Sequence, residues 1–521
     1  MAGALRHSFR LLAIARILAR HDALFILDLL GPKPRSAQLA LALLKLSVRR
    51  QTSDARPGQR LAAALQAMGP TFIKAGQALS TRPDLVGEEL ALDLAALQDR
   101  LPPFPGTAAR QTIEEQLGKP IGQLFARFED EAVAAASIAQ VHFAETIDGQ
   151  PVAVKVLRPG IEQSFQRDLA SFRWAAAKLE RFEPGLRRLR PTAVIDTFAQ
   201  TVAMELDLRY EGAAASELRQ NSAQDPYYSV PAVIWPLTAR RVLTLERVYG
   251  IPVGDRPALV AAGVDLPALA AHLVQTFLSQ ALVHGFFHGD LHHGNLFASP
   301  DGRLIAVDFG IMGRLDTETR RTMAEILYGF LERDYERVAD AHFRAGYVPA
   351  SQSRAKFAQA LRAIGEPIAD RPLRDISLGN LLAQLLKTTE TFAMQTQPQL
   401  LLLQKTMVMV EGVASQLDPE INMWEASRPV IEKWIKDNLS PAARLKTLGE
   451  AALHAAERLP AALANLDAVL EESRAAGFKL SPETLAQLRT VSPNPSPWRP
   501  MIYGFLGGLI AVMAAVALLL R

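Results

Sequence analysis

The sequence predicts an α+β chain of two lobes, a small β-rich lobe leading into a larger helical one, with an N-terminal helical extension and a C-terminal transmembrane helix. Three observations predict it. Short alternating apolar runs, 139–144 and 151–157 about a turn at Asp148-Gly149, fall between about 119 and 160. Helical periodicity governs 36–118 and 161–220 and dominates again from 262, interrupted there by one hairpin at 295–308. Residues 502–520 then run without a charge.

Composition narrows the function classes. Of 521 residues, 49% are apolar and 21% charged, enough for a large core and no sign of global disorder. With 57 basic and 54 acidic residues, the chain lacks the concentrated basic excess of a nucleic-acid binder, and no nucleic-acid partner is expected. It has no cysteine, which removes disulfides, thiolate catalysis and thiolate zinc sites and fits a reducing compartment. There are no internal repeats.

Residues 1–64 read as basic amphipathic helices, with Arg6, Arg10, Arg16 and Arg20 spaced among Phe9, Leu12, Ile14, Ile17 and Leu18. The arginines break the apolar run and no small-residue cleavage site follows, which argues against a secretory signal. A core-facing helix and a helix lying on an anionic membrane surface both fit. Residues 65–118 continue as a helical extension, interrupted at Gly69-Pro70 and Leu101-Pro102-Pro103.

The small lobe, 119–250, holds Val152-Ala153-Val154-Lys155, a strand ending in lysine, and a further strand at 242–247. A strand lysine is usually a solvated charge; the residues before it give this one meaning. Against the phosphate-covering pattern G-x-G-x-x-G-x-V of kinases, the glycine positions are Ala134, Ala136 and Ala139 and the valine is Val141. The run Ala134-Ala135-Ala136-Ser137-Ile138-Ala139-Gln140-Val141 would then cover a nucleotide that Lys155 holds by its phosphates. Alanine carries a Cβ, so this loop should sit on the phosphates differently from glycine.

The large lobe, 251–435, carries His288-Gly289-Asp290-Leu291-His292-His293-Gly294-Asn295. Asp290 and Asn295 have the D-x-x-x-x-N spacing of a kinase catalytic loop, in which the aspartate meets the acceptor and the asparagine holds a metal. A hairpin with its turn at Ser299-Pro300-Asp301-Gly302 brings the chain back, so Asn295 and Asp308 of Asp308-Phe309-Gly310 fall at one end as two oxygen ligands for Mg²⁺. With V-A-V-K ahead of them, these motifs predict a protein-kinase-like fold that binds ATP and Mg²⁺. His284, His288, His292 and His293 crowd this segment without a recognisable further zinc ligand, and structural roles are expected.

The lysine of a kinase needs a glutamate from a following helix. Glu205, Asp207 and Glu211 are available, and on one helix Glu205 and Glu211 would point about 240° apart. After Gly310 come Ile311-Met312-Gly313-Arg314-Leu315-Asp316 and then at once a helix-like stretch, with no A-P-E and no hydroxyl residue before Thr317. The activation loop and peptide platform of a protein kinase are therefore missing, which favours ATP hydrolysis or transfer to a small or lipid molecule.

Further motifs lie outside the kinase set. Lys74-Ala75-Gly76-Gln77, Glu205-Leu206-Asp207, the alanine-rich loop, and Leu402-Leu403-Gln404-Lys405-Thr406 with Val410-Glu411-Gly412 and Gln416-Leu417-Asp418-Pro419 together resemble the UbiB family of kinase-like ATPases, over roughly 65–435. The resemblance implies that Lys74 and Gln77 point into the active site, with Lys74 near Glu205 or Asp207, and that Lys155 pairs with Glu211. It makes Asp290 the proton acceptor, and it implies support of ubiquinone biosynthesis at or near polyprenylated phenols, among other proteins of that synthesis. The family usually has proline at the position of His293, and commonly at that of Leu291. A kinase of the aminoglycoside or choline phosphotransferase type is the second reading, and a pseudokinase scaffold the third. A ring hydroxylase finds no flavin, haem or iron motif.

Residues 436–497 read as helices and a linker, and 498–521 as the anchor. Its 19 uncharged residues span about 28 Å as a helix, close to the hydrocarbon thickness of a bilayer. Gly504 and Gly508 supply the small-xxx-small spacing of a helix pair, hence an expected homodimer contact. Arg499 before the span and the need for ATP put the catalytic lobes on the cytoplasmic side of the inner membrane.

Overall fold

The computed structural model describes residues 2–26, 55–80, 86–95, 97, 101–182, 190–367, 388, 391–394 and 398–439. The membrane span expected at 498–521, with Gly504 and Gly508, and all but the start of the segment 436–497 lie outside them.

Helices α1 (Ala2–Arg20), α2 (Pro57–Met68), α3 (Pro70–Ser80) and α4 (Glu88–Ala95) form the N-terminal extension. Leu18, Leu61, Leu65, Phe72, Ile73 and Leu94 are buried together there. Asp93, buried in this layer, is held by Arg56. The C-terminal part of α1 is thus core-facing, whereas Phe9 and Leu12 stay exposed.

The small lobe follows: α5 (Gly106–Leu117), a single turn α6 (Ile121–Leu124), β1 (Phe125–Phe128), β2 (Ala134–Ala135), β3 (Ala139–Thr146) and β4 (Pro151–Leu157). After these come α7 (Ile161–Phe182), α8 (Pro191–Glu205), α9 (Leu208–Asn221), β5 (Tyr228–Ser229) and β6 (Val242–Glu246). The antiparallel order is β1-β3-β4-β6, with β2 also paired to β3. Alternation decides which way β4 faces. Val152, Val154 and Val156 are fully buried against Ala109 and Ile113 of α5, so Lys155 projects from the opposite face, level with Val141 of β3. Arg10 of α1 reaches Asp168 of α7 at 2.7 Å and docks the extension on this lobe.

One expectation is corrected here. Glu205 and Glu211 do not share a helix: α8 ends at Glu205, and Asp207 caps α9 by accepting the Arg209 N–H at 3.2 Å. An aspartate in extended backbone satisfies a free N–H of the first turn, and the chain takes that cap in place of one long helix.

The large lobe contains β7 (Ile251–Pro252), α10 (Arg256–Ala261), α11 (Leu266–Leu278), β8 (Phe286–His288), β9 (Leu296–Ala298), β10 (Leu304–Ala306) and β11 (Met312–Arg314). Helices α12 (Thr317–Leu331), α13 (Tyr335–Arg344), α14 (Arg354–Gly365), α15 (Pro398–Leu417) and α16 (Met423–Leu439) complete it. The β9–β10 hairpin forms as expected, in a sheet ordered β5-β10-β9-β7. Met312–Arg314 pairs with β8 as a strand, and the helix expected after Asp316 follows as α12, which starts at Thr317 and is capped by Asp316. The continuous helix Leu266–His284 is long and apolar enough to cross a membrane. It is nevertheless the central helix of this lobe, since Leu269, Leu273, Val274 and Phe277 bury it in the core beside Phe287 and Phe309.

Candidate active site

Lys155 ties the two lobes together. Its Nζ lies 2.7 Å from Glu211 Oε1 on α9 and 3.3 Å from Asp308 Oδ2, beyond the β9–β10 hairpin. Glu211 keeps only 8% of its side chain exposed and Lys155 15%, so this is a largely buried ion pair. Burial works against the charged amine, but Asp308 and Glu211 outweigh it and raise the Lys155 pKa. Burial pushes Glu211 up, Lys155 draws it back, and Asp308 pushes it up again. Burial would raise Asp308 too, yet Lys155, the Gly310 N–H, Lys74 and His288 bring it down to about 2. Asp308 is therefore ionised at neutral pH. Its backbone is left-handed, φ +63°, a conformation aspartate tolerates better than most residues, and its Oδ1 accepts the Gly310 N–H at 3.2 Å.

The catalytic-loop motif is braced from behind. His288, buried, accepts the Asp290 N–H at Nδ1, 3.1 Å, and its Nε2 faces the Val307 carbonyl at 3.4 Å. Burial lowers its pKa, so the neutral ring joins the loop to the strand that leads to Asp308. Asn295 Nδ2 donates to the Asp290 carbonyl at 3.0 Å, and the Asn295 carbonyl accepts the Val307 N–H at 2.9 Å. Asn295 and Asp308 thus flank one end of the hairpin. The Asn295 side-chain amide oxygen and the ionised Asp308 carboxylate are the hard donors that Mg²⁺ takes, and this donor set fits that ion.

The alanine-rich segment is part strand and part turn. Ala134 and Ala135 form β2; the Ala136 N–H donates to the Ala139 carbonyl at 2.8 Å, closing the turn over Ser137 and Ile138. Val141 shares the Lys155 face, whereas the Gln140 side chain goes to the other face, bonding both backbone groups of Phe104 and His142. Arg158 donates to the Ala136 carbonyl at 3.0 and 2.8 Å and to the carbonyls of Leu101 and Pro102, pinning the turn to the extension.

From the extension, Lys74 reaches Glu205 at 3.1 Å, while Asp207 pairs with Arg209 at 2.6 Å. Gln77, on the same helix, is half-buried. The glycine between them is closely packed: a Cβ on Gly76 would come within 2.7 Å of the Leu65 side chain and 3.3 Å of that of Leu97, which would have to shift.

Two residues at the site were given no role there by the sequence. Arg158, directly after β4, reads as an ordinary strand-end charge. Lys405 on α15 has its Nζ 3.6 Å from Asp290 Oδ1, and its neighbour Thr406 donates to the Gly289 carbonyl at 3.1 Å. A separate cavity of about 650 Å³ lies beside the β6–β7 connection, lined by Arg219, Tyr228, Arg247, Tyr249 and Arg303, and contains none of these groups.

Comparisons with known proteins agree with this geometry. Residues 96–342 match the ABC1 atypical kinase-like domain and residues 361–422 the UbiB helical domain. The chain is 43% identical over 395 residues to the Marinobacter nauticus protein named "Probable protein kinase UbiB", covering 75% of this chain and 72% of that one. The protein of the same name from Pseudomonas paraeruginosa is 39% identical over 514 residues, covering 97% of this chain and 93% of that one. Among solved structures, the Rv3197–erythromycin complex from Mycobacterium tuberculosis aligns with TM-score 0.52 at 24% identity, covering 76% of this chain and 98% of that one, which is a likeness of fold.

Proposed function

As the chain belongs to the UbiB family of kinase-like proteins, we propose that it is an ATP-dependent phosphotransferase or ATPase that supports ubiquinone biosynthesis, acting on or near polyprenylated phenols at the membrane. The observation that carries this reading is the contact of Lys155 with both Glu211 and Asp308. Lys155 binds the ATP phosphates and Glu211 keeps its amine in position. The turn at Ala136–Ala139 covers the nucleotide through its backbone, under the restraint of Arg158. Asn295 and Asp308 would hold Mg²⁺, which neutralises phosphate charge when bound. Asp290 orients the acceptor hydroxyl, or water, and takes its proton. Lys74 and Gln77 line the side where a peptide would enter, and Lys74 is held there by Glu205.

The stretch from Gly310 to α12 favours a small or lipid acceptor, because its residues 312–314 are occupied in pairing with β8 and leave no free loop for a peptide. The anchor at 498–521 would keep the lobes against the bilayer where polyprenyl chains reside, raising the effective concentration of that substrate.

Purified full-length protein with Mg-ATP labelled at the γ-phosphate tests the reading. Label should leave ATP, as phosphate or on a phenolic headgroup supplied in vesicles. Asp308→Asn should abolish both this turnover and the thermal stabilisation by Mg-ATP. Label that stays on ATP in the wild type, or an undiminished thermal shift in the variant, refutes it.

A further inference from the structure

The catalytic aspartate has a cation beside it that comes from a different domain. Among the described residues, Asp290 has His292 3.7 Å from Oδ2 and Lys405 3.6 Å from Oδ1. The two are not equivalent. His292 Nδ1 accepts the Gly294 N–H at 3.0 Å, so the ring in this bonding is a neutral imidazole with its proton on Nε2. Lys405 brings a full charge. It stands on α15, within the part that matches the helical domain, 115 residues after Asp290 and outside the kinase-like match.

The way α15 sits on the catalytic loop fixes where this charge can be. The Thr406 hydroxyl bonds the Gly289 carbonyl, and a Cβ on Gly289 would meet Leu402 at 3.2 Å and Ile311 at 3.0 Å. Helix and loop therefore touch at the residue next to Asp290, and Leu402 and Thr406, one turn apart, bracket Lys405. Leu403 and Val410 bury the same helix in the core of the lobe. The Lys405 side chain, 24% exposed, has the same access to solvent as that of Asp290. The amine is thus held at the mouth of the site by packing on both sides of it.

We infer that Lys405 is a catalytic residue that contacts the terminal phosphoryl group of ATP as it is transferred, an inference that rests on the phosphotransfer reading above. In that step the acceptor oxygen bonds to the γ-phosphorus while the bond to the β–γ bridging oxygen breaks. ADP leaves with that oxygen, and the acceptor's proton passes to Asp290. The phosphorus under attack lies one bond beyond the oxygen that Asp290 orients, with reacting atoms about 3–3.5 Å apart. An amine 3.6 Å from that carboxylate therefore reaches the non-bridging oxygens, to which it donates N–H bonds without giving up a proton. Asp290 and the phosphoryl oxygens together balance its charge.

Lys405→Met and Lys405→Arg in the full-length chain test this, with the wild type and Asp290→Asn measured alongside. Lys405→Met should lower kcat for Mg-ATP turnover about 10²-fold, as loss of a donor to a developing anion does, with KM and Mg-ADP binding changed less than about threefold. Lys405→Arg, which keeps the charge, should retain about tenfold more kcat than the methionine variant. A wild type no faster than Asp290→Asn would overturn the phosphotransfer reading itself. With an active wild type, three results overturn the role of Lys405 alone: kcat of Lys405→Met within threefold of wild type, equal losses in the two variants, or a loss of Mg-ADP binding in step with kcat.

Discussion

Replacing Lys155 by methionine leaves Glu211 and Asp308 in the core of the site without their shared cation. The Lys155–Glu211 contact is 2.7 Å, with 15% and 8% of the side chains exposed, and removing one partner of such a pair costs about 3–5 kcal/mol. Asp308 is 47% exposed and can be solvated, so the lower end is expected, near 3 kcal/mol at pH 7.5. The informative part is the pH dependence. Without the amine, burial and repulsion from Asp308 act on Glu211 against the Phe309 backbone hydrogen bond alone, and its folded pKa rises further above the unfolded value. A carboxyl whose folded pKa is raised makes the folded state bind the extra proton, so stability is lost as pH climbs from the unfolded pKa through the folded one. One proton over two pH units is worth at most about 2.7 kcal/mol. The deficit against wild type in urea melts should therefore be about 1–2.7 kcal/mol smaller at pH 5.5 than at pH 7.5. Lys155→Met combined with Glu211→Gln should remove most of that dependence. An equal deficit at both pH values would refute the view that an unpaired buried carboxylate is its source.

Two further changes test other parts of the structure. Burial pushes Glu411 on α15 up to about 7, so wild-type stability should fall as pH rises from about 5 to 8, and Glu411→Gln should be flatter by about 1–3 kcal/mol in the same melts. Parallel profiles would mean that water already reaches the carboxyl. Arg158→Ala removes the guanidinium bonds to the Ala136 carbonyl, each worth about 1.5–3 kcal/mol. Amide exchange at 134–139 should accelerate about tenfold or more and Mg-ATP bind more weakly; unchanged exchange would show the turn to be held by β2 and β3 alone.

The legible parts of this molecule were those whose signal is local. Val152, Val154 and Val156 announce a strand with one buried face, and the same alternation sends Lys155 to the other side. The catalytic loop, hairpin and Asp308 form one continuous stretch, so their spacing already implied that Asn295 and Asp308 fall at one end of the hairpin. Choices between distant partners were harder. Lys74 had both Glu205 and Asp207 in prospect, and the helix break at 206 separates them, giving Asp207 to the cap and to Arg209. That break had a local sign, an aspartate followed two residues later by arginine, hidden within a longer helical period. Strands β5 and β7 are too short for any period to register. Lys405 falls in a motif that carries the family resemblance, but its helical period names no partner; the close approach there shows at Gly289, where a Cβ would meet Ile311 at 3.0 Å and Leu402 at 3.2 Å. Lys74 precedes the kinase-like match and Lys405 follows it, and both end at the carboxylates around one cleft. The extension and the helical domain therefore each bring a lysine to one of these carboxylates, so a fragment cut to 96–342 would keep Lys155, Asp290, Asn295 and Asp308 and lack both of those cations.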